Sequence, residues 1–413
     1  MACLLHNAIG KGDVDAVLKL IADGADVNAL DALDGQRPLF IAVGLSDPGV
    51  ATAIIEALVA AEADVFETTN DADMLPIHLA VQNPSPLAVV AVIKALAAAG
   101  ADINDVDAPL HVATTNRNPA AAVAAIQTLL DLGADLEAVS HHGLTALHCA
   151  AGTGTYAAMD ALLAAGANVH ATTDNDVCPL HMAAKNVHAN GACISSLIAR
   201  GADIDAVTDD QETPLHYASY NEDSLAAVAA LQALLAAGPR SISPQDYRGI
   251  TPLHICASRQ DSAGVAELVA AGADLDIRDD FLWTPLLWAL QAGGEAAKLL
   301  IKVGDPATVF AEFDGVLQGV QADVEGVEDR GWVIPYFVEC HGFSRVHWAN
   351  VPIPFPGLAP LLVRANGDDA KEIVRRLQPA TVERLRASLM CLSRFVPAAI
   401  GCRIAHLAVT DAP

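Results

Sequence analysis

Histidine is the residue of this chain whose type and spacing most readily suggest chemistry. Histidines recur at intervals of 33 to 38 residues, each closing a short phrase whose best copies read Thr-Pro-Leu-His; they are His78, His111, His148, His181, His216 and His254. Imidazole is a common metal ligand, but a metal site needs ligands that converge on one point. One histidine per phrase instead spreads the rings along the chain. We predict that each ring hydrogen-bonds near a local turn and holds no metal.

Cysteine makes no stronger case for catalysis. The eight cysteines include no Cys-x-x-Cys pair, and Cys178 stands where better copies of the phrase have threonine. Cys340 and His341 are adjacent, which is poor geometry for a nucleophile and its base on one local element. The sequence has no P-loop, G-x-S-x-G or H-E-x-x-H motif. We therefore predict no enzymatic activity and no cofactor.

The repeat itself sets the elements that position these residues. The fourth residue of each phrase marks what we call the frame position, which falls at residues 6, 40, 78, 111, 148, 181, 216, 254 and 287. Threonine is a good helix N-cap and proline suits the first helical position. A second phrase, Gly-Ala-Asp or Gly-Ala-Asn, follows most frame positions, and its glycine can end a second helix in the left-handed conformation. One helix pair cannot bury its own apolar face, so neighbouring units must share a core.

These two phrases in alternation resemble the ankyrin repeat, whose pattern is T-P-L-H-x-A-A at one helix and L-L-x-x-G-A-D-V-N after the next. The resemblance covers residues 1–304, in about nine units. It implies an all-α repeat solenoid of helix pairs joined by β-hairpin loops. It also implies protein binding through the hairpin tips and the concave face of the first helices. Asn28 and Asn104 occupy the position that is hydroxylated in some members of the family.

The array departs from a regular spacing in two ways. Four units, with frame positions 40, 78, 111 and 216, carry four extra residues before the glycine position, and the first of them has Glu62 there. Because proline or serine follows polar residues in these units, we expect a longer loop between the paired helices; neutral drift copied by duplication is the alternative. From Gly100 to His111 the chain is four residues shorter than elsewhere, which predicts a notch in the binding face.

The charge balance restricts the partners. The formal net charge is −27, and residues 1–304 hold 37 acidic against 13 basic residues. Such a field disfavours nucleic acid and anionic membranes and favours a basic protein partner, although a simply solvated acidic surface is the alternative. No apolar stretch is long enough for a transmembrane helix, and no secretory signal is recognisable. We expect a monomer with free thiols in the cytoplasm, of the host cell where the protein is viral.

The predicted hairpin tips supply the candidate partner-binding residues. The tips nearer the N-terminus carry acidic residues, and those nearer the C-terminus add aromatic side chains. Aromatic residues are enriched among the anchors of protein interfaces. The residues are Asp174, Asp176, Asp209, Asp210, Tyr247, Arg248, Phe281 and Trp283. We expect the partner on the concave strip from the fifth repeat to the ninth. The alternative for Phe281 and Trp283 is that they dock the C-terminal region.

After Gly304 the repeat stops and the composition changes. Nine of the 18 aromatic residues lie in the last 109 residues. We expect residues 305–367 to form an irregular, aromatic and proline-rich capping region, since the last repeat would otherwise expose an apolar face. Residues 368–413 are predicted to be helical, so that the C-terminal region as a whole is small and mainly helical.

The last predicted helix resembles the opening of an F-box, L-P-x-E-[LI]-x-x-x-[IL], in the residues Pro397, Ile400, Ile404 and Leu407. Ala399 replaces the usual glutamate, and Gly401 weakens the helix. Large DNA viruses carry ankyrin proteins that end in such truncated, PRANC-like segments, which bind an adaptor of a cullin ubiquitin ligase. Residues 388–394 resemble part of a SOCS box instead, and an amphipathic capping helix is the third alternative.

The sequence thus predicts a protein–protein interaction scaffold that binds its partner through ankyrin repeats. The alternative is a substrate receptor that also recruits a cullin-type ubiquitin ligase through its last helix.

Overall fold

The computed structural model describes residues 2–309, except 32–34, 69–73, 106–107, 141, 154, 187–190 and 293, and also Cys340. The chain forms two compact units, Met1–Asp246 and Tyr247–Pro413. The predicted capping and helical regions, 305–367 and 368–413, lie outside the described residues apart from 305–309 and Cys340. So do the F-box-like residues Pro397, Ile400, Ile404 and Leu407.

Helices make up the regular structure, and the described residues contain no strand, only an isolated antiparallel bridge between Val139 and Thr145. The helices of the first unit are α1 (Ala2–Gly10), α2 (Val14–Ala22), α3 (Pro38–Val43), α4 (Pro48–Ala60), α5 (Pro76–Ala80), α6 (Pro86–Ala98), α7 (Pro109–Ala113), α8 (Pro119–Asp131), α9 (Ala146–Thr153), α10 (Tyr156–Ala164), α11 (Pro179–Lys185), α12 (Gly191–Ala199), α13 (Pro214–Ser219) and α14 (Ser224–Ala236). Those described in the second unit are α15 (Pro252–Ser258), α16 (Ser262–Ala270), α17 (Pro285–Ala292) and α18 (Gly294–Val303).

The helices of the first unit stack in two layers. The first helices of successive repeats pack side by side from α3 to α13, and the second helices do so from α4 to α14. In the second unit α15 packs on α17 and α16 on α18. The predicted all-α repeat fold is confirmed.

The Thr-Pro-Leu-His phrase works as a helix start. In α13, Pro214 takes the first turn, and the Nδ1 atom of His216 accepts the backbone N–H of Thr213 at 3.0 Å. This is a capping box in which histidine takes the place of the usual glutamate. Leu215 is buried in the core. The phrase therefore fixes both the start of the first helix and its inward face.

The four extra residues lengthen the second helix, and the expectation of a longer loop is wrong. Second helices begin eight residues after the frame position in short units, as at Tyr156, and in long units, as at Pro119. They have 13 residues in α4, α6, α8 and α14, against nine in α2, α10, α12 and α16. Four residues are close to one 3.6-residue turn, so the insertion adds a turn without moving the apolar face far around the helix.

The predicted notch before the fourth repeat falls partly on residues 106–107, which lie outside the described residues. Beside them, the N–H of Ala108 donates to the Asp105 carbonyl at 2.7 Å. In five other repeats, those of His78, His148, His181, His216 and His254, the equivalent N–H donates to Nδ1 of the histidine ring. Within the described part of the chain, Nδ1 of His111 has no hydrogen-bond partner. The shortened connection thus removes one bond of the helix cap.

A row of buried asparagines joins successive repeats at the loops between paired helices, five residues after the frame position; it consists of Asn83, Asn116, Asn186 and Asn221. The amide of Asn116 donates to the carbonyls of Val81 at 2.8 Å and Asn83 at 3.0 Å, in the preceding repeat. Its Oδ1 atom accepts the N–H of Asn118 at 2.9 Å. Each asparagine therefore satisfies carbonyls at a first-helix end that has no intrahelical donors.

Replacing Asn116 with leucine tests this row. Two carbonyls of the preceding repeat lose their donor, so we expect the free energy of unfolding to fall by about 2–4 kcal/mol in urea denaturation followed by circular dichroism. The same change at the exposed Asn175 is the control, with an expected effect below about 0.5 kcal/mol. Equal losses in the two variants would contradict the assignment.

Glu62 offers a substitution that should stabilise the chain. It has a φ of 66°, at the position where other repeats use glycine, and its side chain is exposed. The left-handed conformation costs an L-residue roughly 1–2 kcal/mol, so Glu62→Gly should raise the free energy of unfolding by about 1 kcal/mol. Ala61→Gly is the matched control, because Ala61 has a φ of −94° and gains nothing from glycine. A destabilised Glu62→Gly protein would refute the strain argument.

Candidate protein-binding surface

In the described part of the chain, tight turns precede several of the first helices, and we call these tips fingers. In the finger Thr173–Val177 the N–H of Thr173 donates to the Val177 carbonyl at 3.0 Å, and in Thr208–Glu212 the same bond joins the end residues at 3.0 Å. Asp176 and Gln211 take the left-handed conformation in these turns, with φ of 56° and 59°. The fingers are thus short, hydrogen-bonded hairpin turns.

In five of the described repeats, the histidine holds the finger of the next repeat in place. Nε2 of His148 lies 3.0 Å from the Val177 carbonyl, while Nδ1 accepts the N–H of Thr145 at 3.1 Å. His181 bonds the Glu212 carbonyl in the same way, at 3.1 Å. Equivalent bonds join His6 to Gln36, His111 to Leu144 and, in the second unit, His254 to Trp283. The predicted structural role of the histidines near the turns is confirmed.

This arrangement requires a neutral imidazole, because one nitrogen accepts and the other donates. Burial lowers the pKa of His148, and it lowers the pKa of His181 to about 4, against the opposing effect of the Glu212 carbonyl. The rings therefore stay neutral at physiological pH and suit a fixed hydrogen-bond role.

Cys178 takes the place of threonine in its repeat. Its Sγ atom lies 3.0 Å from Nδ1 of His181, and its N–H donates to the same nitrogen at 3.1 Å. Burial raises the pKa of the Cys178 thiol. A buried, protonated thiol is a poor nucleophile and a poor metal ligand. Among the described residues, no three His, Cys, Asp or Glu side chains converge on a metal-sized site.

The structure brings two of the predicted acidic residues together. Asp174, Asp176, Asp209 and Asp210 are all exposed on neighbouring fingers. The N–H of Asp209 donates to the Asn175 carbonyl at 3.2 Å, which ties one finger to the next. A hydrogen bond between the carboxyl groups of Asp176 and Asp209 raises the pKa of Asp209. These fingers therefore form one acidic surface.

The fingers of the second unit carry aromatic side chains. Tyr247 is 54% exposed, and the guanidinium of Arg248 lies 5.2 Å from its ring centroid. Phe281 is 77% exposed, whereas Trp283 is half-buried. Leu282, which is not among the predicted partner-binding residues, is 65% exposed and has a φ of 62°. Phe281 and Leu282, and not Trp283, present the apolar tip of this finger.

Asp279 fixes that tip, and sequence reasoning did not identify its role. Its buried carboxylate accepts the N–H groups of Phe281 at 2.9 Å and Trp283 at 2.8 Å, and the indole N–H of Trp288 at 2.9 Å. The available signal was positional, because Thr208 occupies the matching place and accepts a finger N–H in the same way. Three hydrogen bonds on one carboxylate make the finger rigid.

A second feature missed from the sequence lies on the first helices of the first unit. The residue after the frame position is apolar and half-buried in six successive repeats. We call this set the apolar row; it comprises Ile41, Leu79, Val112, Cys149, Met182 and Tyr217. The signal was in the sequence, as an apolar residue after each frame position from 40 to 216.

The asparagines at the hydroxylation position join neighbouring repeats. The amide of Asn28 donates to the Glu62 carbonyl at 3.1 Å, and its Oδ1 accepts the N–H of Asp64 at 2.9 Å. Oδ1 of Asn104 accepts the N–H of Asp135 at 2.8 Å. Both side chains therefore contribute to stacking between repeats.

Stacked helix pairs, capped by histidine and carrying finger turns, define a helical repeat protein with exposed tips. Family models agree: "Ankyrin repeats (3 copies)" matches residues 5–107 and 226–309, "Ankyrin repeats (many copies)" matches 180–235, and "Ankyrin repeat" matches 142–174. Together they cover more than half of the chain, which belongs to the ankyrin repeat family. No curated protein matches the chain. In the described part, no helix is long and apolar enough to cross a bilayer.

The neutral ring of His181 can be tested by titration. The folded pKa lies below the unfolded value of about 6.5, so the neutral ring stabilises the fold fully above pH 6.5. This contribution, roughly 3 kcal/mol, is lost as the pH falls to about 4. In NMR spectra of the full chain, assigned with the variant His181→Gln, we expect the His181 signal to reach its titration midpoint near pH 4. A midpoint near 6.5 would show that the ring is not held neutral.

Proposed function

We propose that this protein is a scaffold that binds a partner protein through the fingers of its ankyrin repeats. Ankyrin repeats are generally protein–protein interaction modules. The observation that carries the proposal is the histidine bond from one repeat to the next finger, as from His148 to Val177. It orders the finger before a partner arrives, and a surface that is already ordered loses less entropy on binding.

The fingers of the first unit favour a partner with a basic surface. Asp174, Asp176, Asp209 and Asp210 are exposed within two neighbouring fingers. Exposed carboxylates of one sign attract an oppositely charged surface and speed its association. The excess of acidic residues in residues 1–304 attracts a basic partner over distances longer than the direct contact.

The last finger of the second unit supplies a different kind of contact. Phe281 and Leu282 are exposed on a turn held by the buried Asp279. A rigid, exposed aromatic side chain is the typical anchor of a protein interface. Tyr247 and Arg248 add an exposed aromatic and cationic pair in the same unit. These residues favour a partner pocket of apolar character.

Recruitment of a cullin-type ubiquitin ligase is the second candidate function. It rests on the sequence pattern Pro397, Ile400, Ile404 and Leu407 alone, which lies outside the described residues. A pull-down from cell lysate with the full chain and with a chain lacking residues 395–413 tests it. Recovery of ligase adaptors with the full chain only would support recruitment, and their equal recovery or absence in both would exclude it.

The finger proposal predicts a charge-dependent loss of binding. We expect the combined substitutions Asp176→Asn and Asp209→Asn to weaken the binding of the captured partner at least tenfold. Two carboxylates of the acidic surface are removed in this variant. Glu56→Gln combined with Asp131→Asn is the matched control, since both residues are exposed on second helices and the net charge changes equally. The partner is first identified by affinity purification, and its dissociation constant is then measured with each variant. Unchanged affinity in the finger variant would overturn the proposal.

A further inference from the structure

Three adjacent second helices, α4, α6 and α8, carry very little charge for helices with an exposed side. Each has 13 residues and a single charged residue, whereas the nine-residue α2 has two and the ten-residue α18 has three. The solvent side of a surface helix is normally charged or polar. We call the exposed and half-buried residues of these three helices the outer face; they include Ala53, Ala57, Leu87, Ala91, Ala95 and Ala124. A side so poor in charge suits contact with another molecule.

The two charged residues of α4 and α6 have opposite signs and equivalent positions. Glu56 follows frame position 40 by the same 16 residues as Lys94 follows frame position 78, and both are exposed. The helices pack side by side, yet within the described residues neither side chain forms an ion pair. A two-fold axis parallel to α4 and α6, between them, would place Glu56 of each copy opposite Lys94 of the other. The outer face is in this respect complementary to itself.

A second pair of residues is complementary in size under the same axis. Leu87 is 72% exposed near the start of α6, and Gly49 has the equivalent position in α4. Gly49 has no positive φ, and within the described chain an added Cβ would meet only Oδ1 of Asp47, at 3.4 Å. Neither the backbone nor the packing therefore requires glycine, which weakens a helix. The two-fold axis would place Leu87 of one copy over Gly49 of the other, where room for its side chain exists.

We propose that the chain forms a two-fold symmetric homodimer through the outer face. Helices of 13 residues are about 20 Å long and packed neighbours lie roughly 8–10 Å apart, so three of them present about 500–600 Å² per copy. A pair of copies would bury about 1,100 Å², just below the size of a standard interface. The dimer is therefore in equilibrium with the monomer at micromolar concentrations.

Charge favours a second copy over other occupants of this face. A uniformly basic partner would set a like charge against Lys94, and a uniformly acidic one would do so against Glu56. The formal net charge of −27, from which a monomer was expected, opposes association of two copies at long range. At physiological salt this repulsion is screened beyond about 8 Å. Contacts within the face then decide whether the copies associate.

Charge reversal tests the dimer. In sedimentation velocity of the full chain at physiological salt, we expect Glu56→Lys and Lys94→Glu each to weaken self-association at least tenfold, because like charges then meet twice per dimer. The double variant should restore it. Net charge alone would instead make Glu56→Lys strengthen association. Lys302→Glu, at an exposed position of α18, is the matched control and should change nothing. A wild-type chain that stays monomeric into the millimolar range, or a double variant without restored association, would overturn the proposal.

A pair of leucine variants locates the contact. Leu225 has the same position in α14 as Leu87 in α6, is 84% exposed and lies outside the outer face. We expect Leu87→Asn to weaken self-association at least tenfold, because an apolar contact is lost twice per dimer. Leu225→Asn should leave it unchanged. Both side chains are exposed, so circular dichroism should show both variants folded, and equal dissociation constants for the two would overturn the placement of Leu87 in the contact.

The homodimer goes beyond the finger proposal, and the two can fail separately. Affinity for the captured partner is measured with the chain diluted below its dimer dissociation constant, where changes at Glu56 and Asp131 cannot act through self-association. If partner binding depends on Asp176 and Asp209 while the chain stays monomeric, the dimer is wrong and the finger proposal stands. If charge reversal controls the dimer while the finger variants leave partner binding unchanged, the finger proposal is wrong.

Discussion

The hydrogen bond from the repeat histidine to the carbonyl of the next finger, seen for His6, His111, His148, His181 and His254, is the interaction on which the rest of this structure depends. One imidazole caps its own helix through Nδ1 and positions the following turn through Nε2, as His148 does for Thr145 and Val177. Only the neutral ring can perform both tasks, and burial keeps it neutral. Helix initiation within a repeat and register between repeats are therefore coupled in one side chain.

A second set of bonds holds the opposite end of the first helices. The buried asparagines bind carbonyls of the preceding repeat at the inter-helix loops, so the first-helix layer of the first unit is fixed at both ends. With both ends fixed by side chains of the frame, the exposed face between them can change without loss of register. That freedom leaves room on this face for varied side chains, such as Tyr217 beside Glu212.

Features that depend on neighbouring residues of one repeat could be predicted from the sequence, whereas contacts between repeats mostly could not. The Thr-Pro-Leu-His phrase predicted the first helices and the structural histidines because proline and the cap act within one turn. The extra residues were misassigned because proline and serine mark where a helix begins but not where the added length goes. The roles of Asp279 and of the asparagine row could not be predicted, because the type of a side chain does not identify the carbonyl or indole that it binds. The finger residues could be predicted as tips, although the partial burial of Trp283 and the exposure of Leu282 depend on packing.

The additional turn in α4, α6, α8 and α14 has a consequence for how such an array can change. Four residues rotate the chain around the helix axis by about 400°, which is one full turn plus about 40°. The buried face of the helix beyond the added residues is therefore displaced by only about 40° relative to that of a shorter helix. The second helices can thus become longer by one whole turn, while the first helices and the fingers keep their geometry. The 13-residue α8 packs beside the nine-residue α10, which shows that such a step is accommodated between adjacent repeats. The length of the second helices can therefore change independently of the first helices and the fingers.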